Sequence, residues 1–96
     1  MLLLKKKRIR HFSLLAHSLI TELHAADPND ETFDQLGILD GHSQVVDFLE
    51  HDEWGLAIEH VLYMVHESNI DFPDHELKAL HALAERLGVR HSYRGL

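Results

Sequence analysis

Residues 52–68 read Asp52-Glu53-Trp54-Gly55-Leu56-Ala57-Ile58-Glu59-His60-Val61-Leu62-Tyr63-Met64-Val65-His66-Glu67-Ser68, and this stretch decides the fold. Trp54, Leu56, Ala57, Ile58, Val61, Leu62, Met64 and Val65 recur at helical rather than alternating spacing. The apolar face is too broad for an element packed on one side, so the helix predicted over 53–68 belongs at the centre of a bundle. Asp52 is placed to cap its start, and Glu53 sits where the helix dipole favours an acid.

Working outward, residues 43–51 predict a helix with Val45, Phe48 and Leu49 inward. Before it, a short helix over 32–39 has Thr32 and Gln35 spaced for a capping box, and Asp40-Gly41 closes it. The first helix covers 5–26. There Ile9, Phe12, Ala16, Leu19 and Leu23 follow steps of three and four, and Leu15 and Ile20 widen the stripe. Asp27-Pro28-Asn29-Asp30 ends it, because proline disfavours helix in the residue before it.

Downstream, 69–73 is a connection and Asp71 or Asp74 caps a last helix, in which Leu77, Leu80, Ala84 and Leu87 form the stripe with Leu83 beside it. Gly88 is its left-handed stop. Nothing reads as a strand, and no repeat or linker divides the chain. The expected fold is therefore all-α, a small single-domain bundle of four to five helices over 1–96. Within it, 1–10 is a basic N-terminal segment and 89–96 a tail with Tyr93 available to fold back on the bundle.

A chain of 96 residues buries roughly 60–65% of its unfolded surface, enough for one core and no second. Cysteine is absent, which excludes disulfides and Cys-based zinc sites and agrees with a reducing cytoplasm. No segment has the length and apolarity of a membrane span. The start, Met1-Leu2-Leu3-Leu4-Lys5-Lys6-Lys7-Arg8, has apolar and basic parts in the wrong order for a secretory signal, so the expected location is cytoplasmic.

The net charge of −7 is unevenly distributed. Residues 1–10 hold five bases and no acid, residues 11–77 hold fifteen acids and no Lys or Arg, and the remaining four bases lie beyond 77. A middle without counter-charges repels itself, and its missing cations can come from a partner. The N-terminal bases could touch nucleic acid or an anionic membrane, but the acidic remainder opposes this and no aromatic is interleaved for stacking. Neither partner is expected.

Ten histidines raise the question of metal chemistry. Asp47 and His51, four apart with Glu50 nearby, can share a helix face, and His60 with Glu67 or His75 with His81 fit one face less well, whereas a closed zinc site needs four ligands and a catalytic one three plus water. No HExxH, GxSxG or phosphate-cradling glycine loop occurs. No lysine lies in 11–77 to accommodate a phosphoryl group on a helix histidine. The sequence predicts no enzyme, cofactor or metal. Nearby carboxylates should favour the imidazolium form of the histidines in the acidic stretch.

What remains is the cluster Asp47, Glu50, His51, Asp52, Glu53 and Trp54, in which Trp54 is either a core residue or an aromatic anchor among carboxylates that steer a cationic protein. The run Val45-Val46-Asp47-Phe48-Leu49-Glu50-His51-Asp52-Glu53-Trp54-Gly55-Leu56-Ala57-Ile58-Glu59-His60-Val61-Leu62 resembles the central motif of MafI-family immunity proteins, a helix ending in an acidic turn followed by Glu-aromatic-Gly/Glu-Leu-Ala. Ile70-Asp71-Phe72 and the closing helix through Leu87-Gly88 fit as well, so the resemblance covers about residues 43–90. It implies a small cytoplasmic antidote of a bacterial polymorphic-toxin system, which binds and neutralises a cognate toxin, often a nuclease with a positive active site. Binding surfaces diverge within the family, so Glu53-Trp54 with Leu56-Ala57 can serve the fold rather than the toxin. The competing expectation is a non-enzymatic regulatory adaptor or subunit of a larger complex, with a homodimer through the exposed side of the last helix open to it.

Overall fold

The computed structural model describes residues 2–89, and these fold as an all-α bundle with no strand among them. Five helices follow in order: α1 (Leu2–Ala26), α2 (Thr32–Leu36), α3 (Gly41–Glu50), α4 (Trp54–Glu67) and α5 (Asp74–Arg86). The expected tail with Tyr93 lies outside the described residues. No described helix is long and apolar enough to cross a membrane.

Helix α4 is central, as its broad apolar face predicts. Ala57, Ile58, Val61, Leu62, Met64 and Val65 are all buried, and α3 and α1 pack against α4 and against each other. α3 contributes Val45 and Leu49, and Gly41 in its first turn is buried against α4. A Cβ on Gly41 would stand 2.7 Å from Met64 Sδ, so a side chain there would force the buried Met64 side chain to shift. Helix α5 closes the bundle with Leu80, Leu83 and Ala84 buried, and Phe72 in the preceding connection completes the core.

Several boundaries differ from the sequence expectation for local reasons. α2 stops at Leu36 rather than 39, because Gly37 turns left-handed (φ 70°) and its N–H and that of Ile38 donate to the carbonyls of Asp34 and Phe33. Asp40-Gly41 therefore opens α3 instead of closing α2. The Thr32–Gln35 capping box does not form. Asp30 takes the role, its Oδ1 accepting from the Thr32 N–H at 2.9 Å and from the Thr32 hydroxyl. At α5, Pro73 occupies the cap position and Asp74 is the first helical residue, where with Glu76 it complements the dipole. Gly88 is left-handed (φ 73°), as predicted, with its N–H and that of Val89 bonded to Glu85 and Ala84 carbonyls.

In α1 the buried stripe is Ile9, Phe12, Ser13, Ala16 and Ile20, while Leu19 is half-buried and Leu23 is 45% exposed. The expectation of Leu23 in the core fails because, past Ile20, every residue of α1 but half-buried His24 is exposed; that last turn has little to pack against. Ser13, fully buried, hydrogen-bonds His42 Nδ1 of α3 at 2.8 Å, so the polar atom in this interface has a partner. Tyr63 donates to the Leu36 carbonyl at 2.8 Å and ties α2 to α4.

Truncating the central helix should separate core from surface. Ile58→Ala, fully buried, is expected to lose about 2–5 kcal/mol. Leu56→Ala, with Leu56 47% exposed, is expected to stay within about 0.5 kcal/mol of the parent. Urea denaturation of both variants checks the pair. Equal losses would contradict the placement of α4.

Candidate functional site

The six residues singled out by sequence converge on the turn between α3 and α4, which has a definite local cause. His51 ends α3, Asp52 adopts a left-handed conformation (φ 57°), and the chain reverses. The Asp52 N–H donates to the Leu49 carbonyl at 3.1 Å and the Glu53 N–H to the Phe48 carbonyl at 2.8 Å. This is the paired-bond helix stop usually made with glycine, here made with aspartate, whose short polar side chain tolerates the left-handed region. Asp52 thus terminates α3 rather than capping α4, as the sequence suggested. Glu53 holds the cap position of α4 without a side-chain cap bond.

The start of α1 lies against this turn. Lys6 pairs with Asp52, and Lys5 Nζ stands 5.6 Å from the centre of the Trp54 ring. α1 opens with Leu2-Leu3-Leu4 and carries Lys5, Lys6, Lys7 and Arg8 from the end of its first turn with no acid there, an order that does not complement its dipole. Asp52 and Trp54 relieve part of that mismatch. As exposed contacts, the ion pair and the cation–π contact are worth about 0.5–1 kcal/mol apiece. Trp54 is half-buried and packs on the core, so Asp52 and Trp54 serve the chain's own first helix.

The other four residues face outward. Asp47, Glu50, His51 and Glu53 are exposed, and among the described residues no Lys or Arg pairs with these carboxylates. His51 Nδ1 bonds the Asp47 carbonyl at 2.8 Å and lies 3.7 Å from its carboxylate. That backbone bond, then Asp47, Glu53 and Glu50, hold the His51 imidazole above its ordinary pKa. Three carboxylates therefore share one field around this ring.

One turn further along α4, a shallow open groove of about 280 Å³ is lined by Phe48, Leu56, Glu59, His60 and Tyr63. Sequence reading missed it by counting Leu56, which is 47% exposed, with the core; Phe48 is half-buried and packs on the core as expected while also lining the groove. The available signal was the run Leu56, Glu59/His60, Tyr63, which marks a second face of α4 beside the core face. The His60 ring stacks near Tyr63 (centroids 6.0 Å, 25°) and meets Phe48 edge-on. Burial pushes the His60 pKa down, partly opposed by Asp40, and its Nε2 is buried with no partner among the described residues. At His42, burial and then His17 and Arg10 act in the same direction. The expectation that neighbouring acids favour the imidazolium holds at His51 and reverses at His42 and His60, where burial wins.

Chemically this face can bind cations and apolar side chains. No group of three His, Asp or Glu residues that could hold a metal ion occurs among the described residues. Ser13 stands beside His42 as a nucleophile beside a base would, but it is fully buried and out of reach of a substrate. The exposed residues of α5 are Asp74, His75, Lys78, Ala82, Glu85 and Arg86.

Stability should follow the histidines. His42 and His60 have folded-state pKa values below their ordinary 6.5, so the unfolded chain takes up protons first as pH falls. Their neutral forms favour the fold above that value, and the benefit is lost as pH falls below it through the lower folded-state values. His51, raised and exposed, has the opposite sign and is lost as pH rises. The melting temperature is expected to fall between about pH 7.5 and 5.5, less steeply in His60→Gln and no less steeply in His51→Gln. A flat profile in the parent protein would contradict the burial of these rings.

Compared with models of protein families, with curated proteins and with solved structures, the chain matches none.

Proposed function

We propose that this protein is an immunity protein, which neutralises a cognate bacterial toxin by covering a basic surface of it with the α3–α4 face. The observation that carries the reading is the outward field of Asp47, Glu50, Glu53 and Glu59, exposed and without a Lys or Arg partner among the described residues. Such a field speeds encounter with a cationic protein and repels nucleic acid. The MafI-like run through Glu53-Trp54-Gly55-Leu56-Ala57 supports the same assignment. The partner's basic side chains would meet the carboxylates while an apolar side chain enters the groove floored by Phe48 and Tyr63. A nuclease-type toxin, whose active site is positive because it binds phosphates, is the kind of effector this face suits. The action is occlusion in the cytoplasm, with no catalytic step or cofactor.

Trp54 and Asp52 have contacts of their own with α1, so the proposed contact set centres on Asp47, Glu50, His51 and Glu53 and adds Glu59. A second reading, a regulatory adaptor or subunit, is favoured by Leu14 and Leu23 of α1, which are 49% and 45% exposed. The two readings differ in genetic context, since an adaptor has no reason to follow a toxin gene.

Co-expression with the toxin encoded upstream should restore growth, and death of cells that express this protein well would refute the proposal. Glu50→Lys combined with Glu53→Lys is expected to slow association with the toxin by about tenfold or more and to flatten its salt dependence. Lys6→Ala should leave the association rate within about twofold, because Lys6 faces Asp52 rather than the partner. Stopped-flow measurements over a salt series check both.

A further inference from the structure

The outer face of α1 carries an apolar and cationic patch that neither the core nor the acidic face uses. Leu3, Leu4 and Leu14 are 66%, 61% and 49% exposed, while Lys7 and Arg10 are exposed and Arg8 is half-buried. At about 100° per residue, Leu3, Lys7, Arg10 and Leu14 fall within about 60° of one another, on the side away from buried Ile9, Phe12 and Ala16. Leu4 flanks Lys7 on the other side, with Arg8 next to it. No acid occurs in α1 before Glu22, and Lys7, Arg8 and Arg10 form no ion pair among the described residues.

Cations set among exposed leucines narrow what can cover them. A second copy packed through the same face would bring Lys7 and Arg10 against cations of their own kind. Single-stranded nucleic acid is held by aromatic stacking platforms, and this patch has none. An anionic lipid surface answers both parts of the patch. Leucines enter the acyl boundary, and lysine and arginine reach the headgroup phosphates with their stems along the apolar surface. We propose that the outer face of α1 over residues 3–14 is a peripheral docking surface for an anionic bilayer. The helix lies in the interface plane, since no described helix is long and apolar enough to cross a membrane. Apolar insertion and a basic cluster are the two signals that such attachment takes. The acidic remainder, on which the sequence expectation of no membrane partner rests, meets the other side of α1, where Lys5 and Lys6 engage Trp54 and Asp52. A helix about 10 Å across separates the two sides, more than the screening length of about 8 Å at physiological salt. Docking through the outer face leaves the carboxylates of the α3–α4 turn uncovered.

Co-sedimentation of the full chain, free of any histidine tag, with phosphatidylcholine vesicles containing about one third phosphatidylglycerol tests this. The protein should bind them at least about tenfold better than pure phosphatidylcholine vesicles, and added salt should weaken the binding. Leu3→Ser with Leu4→Ser, and separately Lys7→Gln with Arg10→Gln, should each lower binding by at least about fivefold. All four side chains are exposed, so the melting temperature should hold. If a variant melts early, the parent still decides: a nitroxide-labelled lipid should broaden the backbone signals of Leu3, Lys7, Arg10 and Leu14 before those of Glu50 and Glu53. No preference for the anionic vesicles, full binding by both folded variants, or broadening centred on the α3–α4 turn would overturn the proposal. So would tighter binding to single-stranded DNA than to the vesicles.

Discussion

The reversal at Asp52 sets the direction of α4 relative to α3, and the rest of the molecule is arranged around it. Two backbone bonds close α3 there, one residue sits left-handed, and the Asp52 carboxylate meets Lys6 of the first helix. Because α4 leaves this turn packed along α3, Ile58, Leu62 and Val65 enter the core that α1 then covers. The same turn leaves Asp47, Glu50 and Glu53 fanned around His51 on the outside. Core formation and acidic display thus come from one local conformation.

The charge asymmetry of the sequence has two consequences that act against each other. Lysines from the end of the first turn of α1 do not complement the helix dipole, and concentrating carboxylates near the α3–α4 turn makes them repel. Docking the two against each other relieves both, through Lys6 with Asp52 and Lys5 with the Trp54 ring. The relief is partial, since Asp47, Glu50 and Glu53 find no lysine or arginine among the described residues. The chain's own contact also illustrates the chemistry the face accepts: an ammonium against a carboxylate beside an aromatic surface.

Much of the fold was legible because burial follows periodicity. The broad stripe of α4, the narrower stripe of α5 and the stop at Gly88 could all be read from spacing and residue type. What could not be read depends on tertiary context. Leu39 follows the apolar spacing of α2, yet the helix stops earlier at Gly37, which can adopt the left-handed region at little cost. Asp52 looks like a helix cap in sequence, but its own N–H and that of Glu53 return to α3 carbonyls and make it the left-handed stop of α3. Leu23 follows the helical period but extends past Ile20 into the exposed last turn of α1. Of the site, the cluster's location was legible and its division was not. The lysines that engage Asp52 and Trp54 lie more than forty residues upstream, and the groove at Phe48 and Leu56 requires knowing which apolar residues the core leaves out. The histidines misled for a related reason: sequence shows neighbouring acids but not burial, which decides the direction at His42 and His60.

The central claim is that the end of α3 and the outer side of α4 form an open cation-binding face. The most direct measurement is a nuclear magnetic resonance titration of the protein with an arginine-rich peptide carrying one aromatic residue. Shift changes concentrated at Asp47, Glu50, His51, Glu53, Glu59 and Tyr63, weakening with added salt, are the predicted result. Changes centred on α5 or spread evenly over the surface would contradict the account.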